Sequence, residues 1–531
     1  KAAGYIAKNL KAAGLTLTDS AGRQQFTVNI GQEPGENNHL LFGDFEGTLG
    51  KDFVPMPFSG NGELTAPVVF VEYGFQVDAE RFQWNDYTGA AVQNKWVMIL
   101  RGTPENEDLK KFFMGRSSDR EKALTAKDNG AAGILFISTE KEDKKDKLAD
   151  PGLKKGNIEI PAIHIKREVA NKLIHLYKNT TIGDITANIN ETEKPGSSQL
   201  NVRLTGRTEL IPRKAKTQNV IATLNGGSSS SKQRYILIGG HYDHLGMGGE
   251  NSGSRRPDTV ATHYGADDNA SGIAAMMEIA EKLASGKDSL NSNFLFAGFG
   301  AEEMGLLGSR HFVSHPPVAM DHINAMINLD MIGRLRNDNS LQIGGVGTSL
   351  QAESILNRLN ESYNFSLGLS PEGYGPSDHS SFYSKDIPVF FISTGPHLDY
   401  HTPEDTPEKL NYAGLEKISE YVFDLAVALG NKYTALTFQE AGPKMEEKQN
   451  RRADLKVTLG IMPDFAGVVK NGLRADIVIT GRPADRAGMK DGDIITINSN
   501  SKELSVDISE DELDKRRSRW RPRETAYKRG A

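Results

Sequence analysis

Five short segments of this chain carry side chains that bind metal ions well. They are GGHYDHLG (239–246), GADDNASG (265–272), GAEEMG (300–305), NLDMIG (328–333) and YHTPEDT (400–406). Four of them close an apolar run, which we expect to be a buried strand. Parallel α/β sheets place their active sites outside the carboxyl ends of the strands. The sequence therefore predicts one crevice with two imidazoles and several carboxylates, a donor set that suits a pair of divalent metal ions.

The two histidines of these segments each have an aspartate close by. His241 is followed by Asp243, and in such an HxD arrangement the carboxylate often orients the ligating imidazole. A histidine that closes a strand in an ordinary polar loop is the alternative for His241 taken alone. His401 has Asp405 as a candidate partner of the same kind. Asp330 interrupts an apolar run, where a lone carboxylate is costly without a partner.

Two pairs of adjacent carboxylates complete the set. Asp267 and Asp268 precede a helical pattern and could simply cap that helix. A carboxylate held at such a position is also well placed to bridge two cations. Glu302 and Glu303 follow an apolar strand directly, where two like charges need compensation. We expect one of these glutamates to bind a metal while the other acts as a base.

The sequence around the other histidines indicates metal binding less clearly. His379, beside Asp378, is a further candidate. A surface or packing role is expected for His164, His263, His311, His315, His322 and His397. Other catalytic motifs are absent, since the sequence contains no G-x-S-x-G elbow, no P-loop and no HExxH.

The composition narrows the chemistry further. The chain has 531 residues, a formal net charge of −6 and no cysteine. The length predicts several domains, and the charge disfavours a nucleic-acid partner. Disulfides and thiol chemistry are excluded, so a transition-metal site must use His, Asp and Glu. No apolar run reaches the roughly 18–20 residues that span a bilayer. The chain begins at Lys1 within a helical pattern, and we interpret it as lacking its precursor's signal region.

Alternating strands and helices predict an α/β fold with a mixed, mostly parallel sheet flanked by helices. The predicted strands of this part are 219–226, 235–240, 293–300, 325–331 and 387–394, and the predicted helices are 271–285 and 415–429. Residues 48–196 differ in character and resemble a protease-associated (PA) domain of α/β type. TLGI (458–461) and GRPADRAGMKDGDIITIN (481–498) are similar to segments of a PDZ domain, so residues 455–500 resemble a β-rich PDZ domain, and the resemblance stops there. The expected organisation is a discontinuous catalytic domain (1–47 and 197–436), the PA insert (48–196), a linker (437–454), the PDZ-like domain (455–500) and an atypical charged tail (501–531).

The five metal-binding segments together resemble the motifs of the M28 family of metallopeptidases, which are co-catalytic dizinc aminopeptidases. The resemblance is strong over 197–430 and includes 1–47 as the family's first helix and strand. It implies the following roles: His241 and Asp330 on one zinc, Glu303 and His401 on the other, Asp268 as the bridge, Glu302 as general base, Tyr374 as a donor to the developing oxyanion, and Asp243 and Asp405 behind the histidines.

The function implied by this resemblance is a zinc-dependent aminopeptidase that removes N-terminal residues from peptides. A hydroxide held between two Zn²⁺ ions would attack the scissile carbonyl, and Glu302 would transfer the proton to the leaving amine. Co²⁺ or Mn²⁺ could replace zinc. The expected partners are peptides with a free N-terminus and a ligand of the PDZ-like domain, and export to the periplasm or medium is expected. The alternatives are a glutaminyl cyclase-like zinc transferase and a non-catalytic binding protein that uses its PA and PDZ-like modules.

Overall fold

The computed structural model describes residues 1–79, 82–106, 110, 112–113, 116–152, 156–227, 234–249, 252–430, 436–442, 461–463, 473–478, 484, 489–490, 493–498 and 503–519. The chain divides into two compact units. One comprises Lys1–Val28 with Lys216–Ala531, and the other comprises Asn29–Ala215. Most of the predicted linker (437–454), much of the predicted PDZ-like domain (455–500) and the end of the tail (520–531) lie outside the described residues.

The α-helices are named in chain order. They are α1 (Ala2–Ala12), α2 (Asp119–Asp128), α3 (Arg167–His175), α4 (Ile182–Thr192), α5 (Gly272–Ser285), α6 (Leu307–Ser314), α7 (Ala352–Asn360), α8 (His379–Tyr383), α9 (Tyr412–Leu429) and α10 (Glu510–Arg519). Among the described helices, none is both long enough and apolar enough to span a lipid bilayer.

The strands are named in the same way. They are β1 (Thr16–Leu17), β2 (Arg23–Pro34), β3 (His39–Phe42), β4 (Phe45–Glu46), β5 (Phe53–Pro55), β6 (Gly62–Phe70), β7 (Gln76–Ala79), β8 (Phe82–Asn85), β9 (Trp96–Leu100), β10 (Gly133–Ile137), β11 (Ala162–Ile165), β12 (Ser198–Thr208), β13 (Leu210–Leu224), β14 (Tyr235–His241), β15 (Asn293–Phe299), β16 (Ile323–Leu329), β17 (Ser340–Gly344), β18 (Ser366–Leu369), β19 (Val389–Ser393), β20 (Ile461–Pro463), β21 (Leu473–Val478), β22 (Ile494–Asn498) and β23 (Glu503–Val506).

The first unit is built on a mixed sheet with the strand order β1-β13-β15-β14-β16-β19-β17-β18, and β2 pairs with β13. The four central strands β15, β14, β16 and β19 run parallel, whereas β13 and β17 join their neighbours in antiparallel fashion. The predicted fold class, a mostly parallel sheet flanked by helices, is confirmed.

The central strands are almost entirely buried, which explains their uninterrupted apolar sequences. Every residue of β14 is buried. One face of the sheet is covered by a core that includes residues of α1, α5, α7 and α9, and the other by a core with residues of α6 and α8. In α5 the buried side chains include Ile273, Met276 and Leu283, as the helical period predicts.

The second unit contains a sheet with the order β4-β3-β12-β6-β9-β10-β11-β5. Its strands β6, β9, β10 and β11 are parallel. The unit extends beyond the predicted limits of 48 and 196, because β3 and β12 pair with each other in this sheet. Strands β3, β4 and β12, which lie within 29–47 and 197–215, therefore belong to the sheet of this unit and not to that of the first unit.

The described C-terminal residues form an antiparallel sheet, β20-β21-β22-β23. Its last strand, β23, lies beyond the predicted PDZ-like limit of 500 and pairs with β22. Helix α10 follows, and its Arg516 contacts the carboxylate of Asp493 at 2.5 and 3.0 Å. The beginning of the predicted charged tail thus continues the same module.

Candidate active site

The predicted metal ligands and the predicted base line one cavity of about 190 Å³. These residues are His241, Asp268, Glu302, Glu303, Asp330 and His401. The sheet brings them together because β14, β15 and β16 are parallel neighbours. His241 ends β14, Glu302 follows β15, and Asp330 follows β16. Strand ends that are far apart in sequence therefore meet at one edge, as expected for parallel strands.

Three residues near these strand ends have positive φ angles without being glycine. They are Ala301 (60°), Met331 (56°) and His401 (55°). Each one is a metal-site residue or adjoins one. Such left-handed backbone is uncommon for side chains with a Cβ and is tolerated where the surrounding structure holds it. At these three positions the backbone turns sharply beside the carboxylates and the imidazole that line the cavity.

The first group of donors is built around His241. Its Nε2 lies 3.2 Å from Asp268 Oδ1 and 3.5 Å from Asp330 Oδ1. The His241 Nδ1 is 3.0 Å from the backbone carbonyl oxygen of Asp243. That contact leaves Nε2 free to face the two carboxylates.

The second group of donors is built around His401. Its Nε2 lies 3.2 Å from Asp268 Oδ2 and 3.2 Å from Glu303 Oε2. The His401 Nδ1 is 3.2 Å from the carbonyl oxygen of Gly253. Asp268 is therefore shared, because each of its oxygens faces a different imidazole.

These separations fit the coordination of zinc. Ligand atoms about 2.0–2.2 Å from a tetrahedral Zn²⁺ lie roughly 3.3–3.5 Å from one another. In each group the imidazole Nε2 lies 3.2–3.5 Å from the carboxylate oxygens. The mixture of imidazole and carboxylate is also a zinc donor set. Each group could hold one divalent ion, and Asp268 belongs to both groups.

The electrostatics of the cavity favour cations. His241 is fully buried, which disfavours its charged form, but the carboxylates of Glu302, Asp330 and Asp268 outweigh burial and raise its pKa well above the usual value. Burial also raises the pKa of Asp330. A buried cluster of this kind holds more carboxylate charge than its two imidazoles can balance, and bound metal ions would compensate it.

Glu302 and Glu303 have different surroundings although they are adjacent. Burial raises the pKa of Glu302 well above its usual value, and the nearby carboxylates of Asp378 and Asp330 add to this effect. For Glu303, burial acts in the same direction, but hydrogen bonds from His244 and His401 outweigh it and lower the pKa. Glu303 is thus held as an anion by imidazoles, whereas Glu302 is the carboxylate whose proton affinity is high.

The two predicted orienting aspartates act differently from the expectation. The carboxylate of Asp243 accepts a hydrogen bond from the Glu302 backbone N–H (2.9 Å), and only its carbonyl oxygen meets His241. Asp405 Oδ2 accepts hydrogen bonds from the backbone N–H groups of Asp267 (2.9 Å) and Asp268 (3.1 Å). Asp405 therefore supports the turn that carries the shared carboxylate, while a carbonyl orients His401.

The tyrosine that lines the cavity is Tyr400. Its ring stacks on His401 with centroids 3.8 Å apart. Burial, followed by the charge of Asp268, raises the pKa of Tyr400, so the phenol keeps its proton. The predicted Tyr374 instead packs against the apolar cluster that contains Phe382 and Tyr383. The loop that precedes α8 directs Tyr374 toward this core.

The next two histidines, His379 and His397, occupy different surroundings in the structure. His379 is buried and stacks on Phe391 at 4.6 Å, and burial lowers its pKa to about 3. His379 thus packs in the core and does not line the cavity. His397 was expected to have a surface or packing role, but its Nε2 lies 3.2 Å from Asp267 Oδ2. His397 therefore faces the turn that carries Asp268, but it makes no hydrogen bond to Asp267.

His244 is a site residue that the sequence reasoning did not select. Its Nδ1 lies 2.8 Å from Glu303 Oε1 and 3.8 Å from Asp268 Oδ2. The only signal was its presence in the GGHYDHLG segment, three positions after His241. Because that segment leaves the sheet at His241, the direction of the following side chains could not be predicted.

A parallel α/β sheet whose strand ends gather two imidazole–carboxylate groups around a shared carboxylate defines a metallohydrolase. Comparisons with known proteins point to one family. Residues 219–426 match the model of peptidase family M28, and residues 64–173 match the PA domain. The chain is therefore similar to peptidase family M28 over residues 219–426 and to a PA domain over residues 64–173.

Several relatives span both parts. Aminopeptidase YwaD of Bacillus subtilis is 27% identical over 396 residues, which are 71% of this chain and 71% of that protein. An aminopeptidase of Pseudomonas aeruginosa is 30% identical over 402 residues, which are 74% of this chain and 64% of that protein. The solved structure of BSAP, a zinc aminopeptidase from Bacillus subtilis, is 22% identical, covers 83% of this chain and 92% of that chain, and has a TM-score of 0.44.

Proposed function

We propose that this chain is a zinc-dependent aminopeptidase that holds two Zn²⁺ ions and removes N-terminal residues from peptides. One observation carries the proposal: Asp268 Oδ1 and Oδ2 each lie 3.2 Å from the Nε2 of a different histidine, His241 and His401. This is the arrangement that a bridging carboxylate requires. The relatives of family M28 described as aminopeptidases support the same activity.

The metal ions would supply Lewis acidity, which lowers the pKa of water and polarises a carbonyl oxygen. Glu302 lines the cavity and lies near His241 and Glu303, but it makes none of the 3.2–3.5 Å contacts that define the two imidazole-centred groups. Its carboxylate accepts a proton from the attacking water and donates it to the departing amine. Burial gives Glu302 the high proton affinity that this transfer needs.

The shape of the cavity favours removal of single residues. Its volume of about 190 Å³ is on the scale of one amino-acid residue. Apart from the metal-site residues, its wall includes the apolar side chains of Met331, Phe391 and Pro396. We infer that this wall receives the first side chain of the substrate, while the free α-ammonium group meets the surrounding carboxylates. An internal peptide bond would lack the free ammonium group that these carboxylates are proposed to meet.

The proposal is tested with a pair of matched substrates. Leucine p-nitroanilide should release p-nitroaniline, and its N-acetylated counterpart should not. A chelator should abolish the release and added Zn²⁺ should restore it, while elemental analysis should find two ions per chain. Activity that survives complete removal of metal, or equal turnover of the acetylated compound, would contradict the proposal. A single ion per chain would favour the cyclase-like alternative.

We also propose that the protein is exported, because the combination of an M28 domain with a PA insert resembles that of exported bacterial peptidases. Fractionation of cells that produce the full-length precursor should place the activity in the periplasm or the medium. Recovery of all activity in the cytoplasmic fraction would contradict this.

For the C-terminal module we propose a peptide ligand that is bound through its terminal carboxylate. A binding assay with carboxyl-terminal peptides would test this. Identical binding by the amidated peptides would refute a carboxylate-dependent mode.

A further inference from the structure

His244 has a contact that the metal-site geometry does not use. Its side chain is only 9% exposed. Its Nδ1 lies 2.8 Å from Glu303 Oε1, a normal hydrogen-bond distance. The other oxygen of the same carboxylate, Oε2, faces His401 Nε2 at 3.2 Å. The two oxygens of Glu303 are therefore divided between two histidines with different tasks.

The two ring nitrogens of His244 are not equivalent. Among the described residues, Nε2 is buried and has no hydrogen-bond partner. Nδ1 is the nitrogen that faces an acceptor, so a proton on Nδ1 satisfies the Glu303 carboxylate. With that proton the imidazole acts as a donor to Glu303. His244 also lies close enough to Asp268 and Glu303 to form a three-donor metal group with them, so donation and ligation are the two roles that an experiment must separate.

We propose that His244 is a positioning residue that holds Glu303 through Oε1 and reserves Oε2 for the metal ion at the His401 position. This inference rests on the proposed function, since it concerns that same metal site. A glutamate has three side-chain torsions and can bind a cation through one or both oxygens. A fixed donor on one oxygen removes that freedom and defines the direction of the other.

The expected effect is confined to one of the two metal positions. Apart from Glu303, the nearest metal-site atom to His244 Nδ1 is Asp268 Oδ2 at 3.8 Å, which also faces His401. The other position is formed by His241, Asp330 and Asp268 Oδ1. Loss of the His244 donor should therefore weaken one ion and leave the other unchanged.

Two substitutions separate positioning from ligation. In His244→Asn the side-chain amide can reproduce the Nδ1–H donor, but an amide is a poor ligand for zinc. In His244→Ala no donor remains. We expect His244→Ala to weaken the second Zn²⁺ about 10- to 100-fold, as is typical for loss of a residue that orients a ligand. His244→Asn should stay within a few-fold of the wild type.

The measurement is a competition with chelators of known affinity, which gives a dissociation constant for each ion and does not depend on turnover. His315→Ala is the control, because it removes an exposed histidine. Thermal melting of the metal-free proteins should show equal midpoints for the wild type and both variants, since the effect acts through metal binding.

Three results would overturn the inference. Equal weakening by the Ala and Asn substitutions would make His244 a ligand. Equal weakening of both ions, or a lowered melting midpoint of the metal-free variants, would indicate a general structural role. Unchanged affinities in His244→Ala would show that Glu303 needs no orientation. A wild-type chain that binds fewer than two ions would instead refute the proposed function, and it would be recognised before any variant is made.

Discussion

Glu302 and Glu303 show how adjacent residues acquire different chemistry at the end of one strand. Both carboxylates are largely buried, which by itself raises their pKa values. Imidazoles reverse this effect for Glu303, whereas the neighbouring carboxylates reinforce it for Glu302. Environments that push two pKa values apart assign an acid–base role to one group and a charge-binding role to the other.

Replacement of Glu302 by glutamine keeps the size of the side chain and removes its proton acceptor. We expect kcat to fall about 100- to 10,000-fold, the usual contribution of a general base. Both metal ions should remain bound, because Glu302 is in neither imidazole-centred group. Steady-state kinetics and elemental analysis of the same preparation would check this. Glu303→Ala is the companion variant, and it should lose metal. A Glu302→Gln enzyme with most of its activity would exclude the general-base role.

Asp405 offers a second test at this scale. It accepts the N–H groups of Asp267 and Asp268, so its removal would leave two buried donors unpaired at the turn that carries the shared carboxylate. We expect Asp405→Ala to weaken both metal ions by about 10- to 100-fold each. Asp399→Ala is the matched control, since Asp399 binds Arg334 as Asp405 does. Equal losses in the two variants would mean that Arg334, and not the turn, transmits the effect.

The sequence drew attention to His241, Glu302 and Asp330 because each one follows an apolar run that is visible in the sequence. Their supports were predicted poorly. Asp243 and His241 do meet, but through a carbonyl group, and Asp405 supports Asp268 instead of His401. These contacts depend on the path of the loop backbone, which carries no periodic signal.

At the scale of elements, the site depends on how closely β14 and β16 approach the turn before α5. A Cβ atom on Gly240 would lie 2.5 Å from the Leu329 carbonyl oxygen and 3.0 Å from Asn269 Nδ2. The neighbouring position in β15, Gly298, pairs with Gly240 in the sheet. A Cβ atom there would meet only side chains at 3.4 Å or more. The two glycines are thus paired in register but differ in the space around them.

This difference predicts that alanine will destabilise the protein much more at Gly240 than at Gly298. Gly240→Ala should lower the free energy of unfolding by about 1–3 kcal/mol, the range for overpacking against a neighbour that cannot move. Gly298→Ala should change it by less than about 1 kcal/mol, since the contacts are ordinary and alanine restricts the unfolded chain. Denaturant unfolding of both variants at one pH would measure this. If Gly240→Ala is no less stable than Gly298→Ala, then β14 and β16 can separate to admit a methyl group.

The existence and type of these elements were readable from the sequence. The predicted strands 235–240, 293–300 and 325–331 correspond to β14, β15 and β16 with small shifts at their ends. Apolar runs of this length between helical segments are typical of buried parallel strands. The limits of the insert unit could not be predicted from the sequence. Strands β3 and β12 are amphipathic, so by their sequences they could equally have joined the sheet of the first unit.

At the scale of the whole molecule, the insert unit carries its own buried charges. Asp86 is 1% exposed, and its carboxylate accepts hydrogen bonds from the Phe75 N–H (2.8 Å) and the Trp84 Nε1–H (2.7 Å). Burial outweighs these bonds and raises the pKa of Asp86 to about 8. In the unfolded chain the same group would titrate near its ordinary value of about 3.9.

Asp86 therefore predicts a pH dependence of stability for this unit. Between about 4 and about 8, the folded state binds a proton that the unfolded state has released. The free energy of unfolding should consequently fall as the pH rises through this window, by up to about 1.4 kcal/mol for each pH unit from this group. Denaturant unfolding of the whole chain at pH 5, 6, 7 and 8, followed by tryptophan fluorescence, would give the slope. In Asp86→Asn the unfolding free energy should depend less steeply on pH, whatever the absolute stability of that variant. Asp184 is an exposed carboxylate on α4, so Asp184→Asn should keep the slope of the wild type. An unchanged slope in Asp86→Asn would show that Asp86 is ionised in the folded protein.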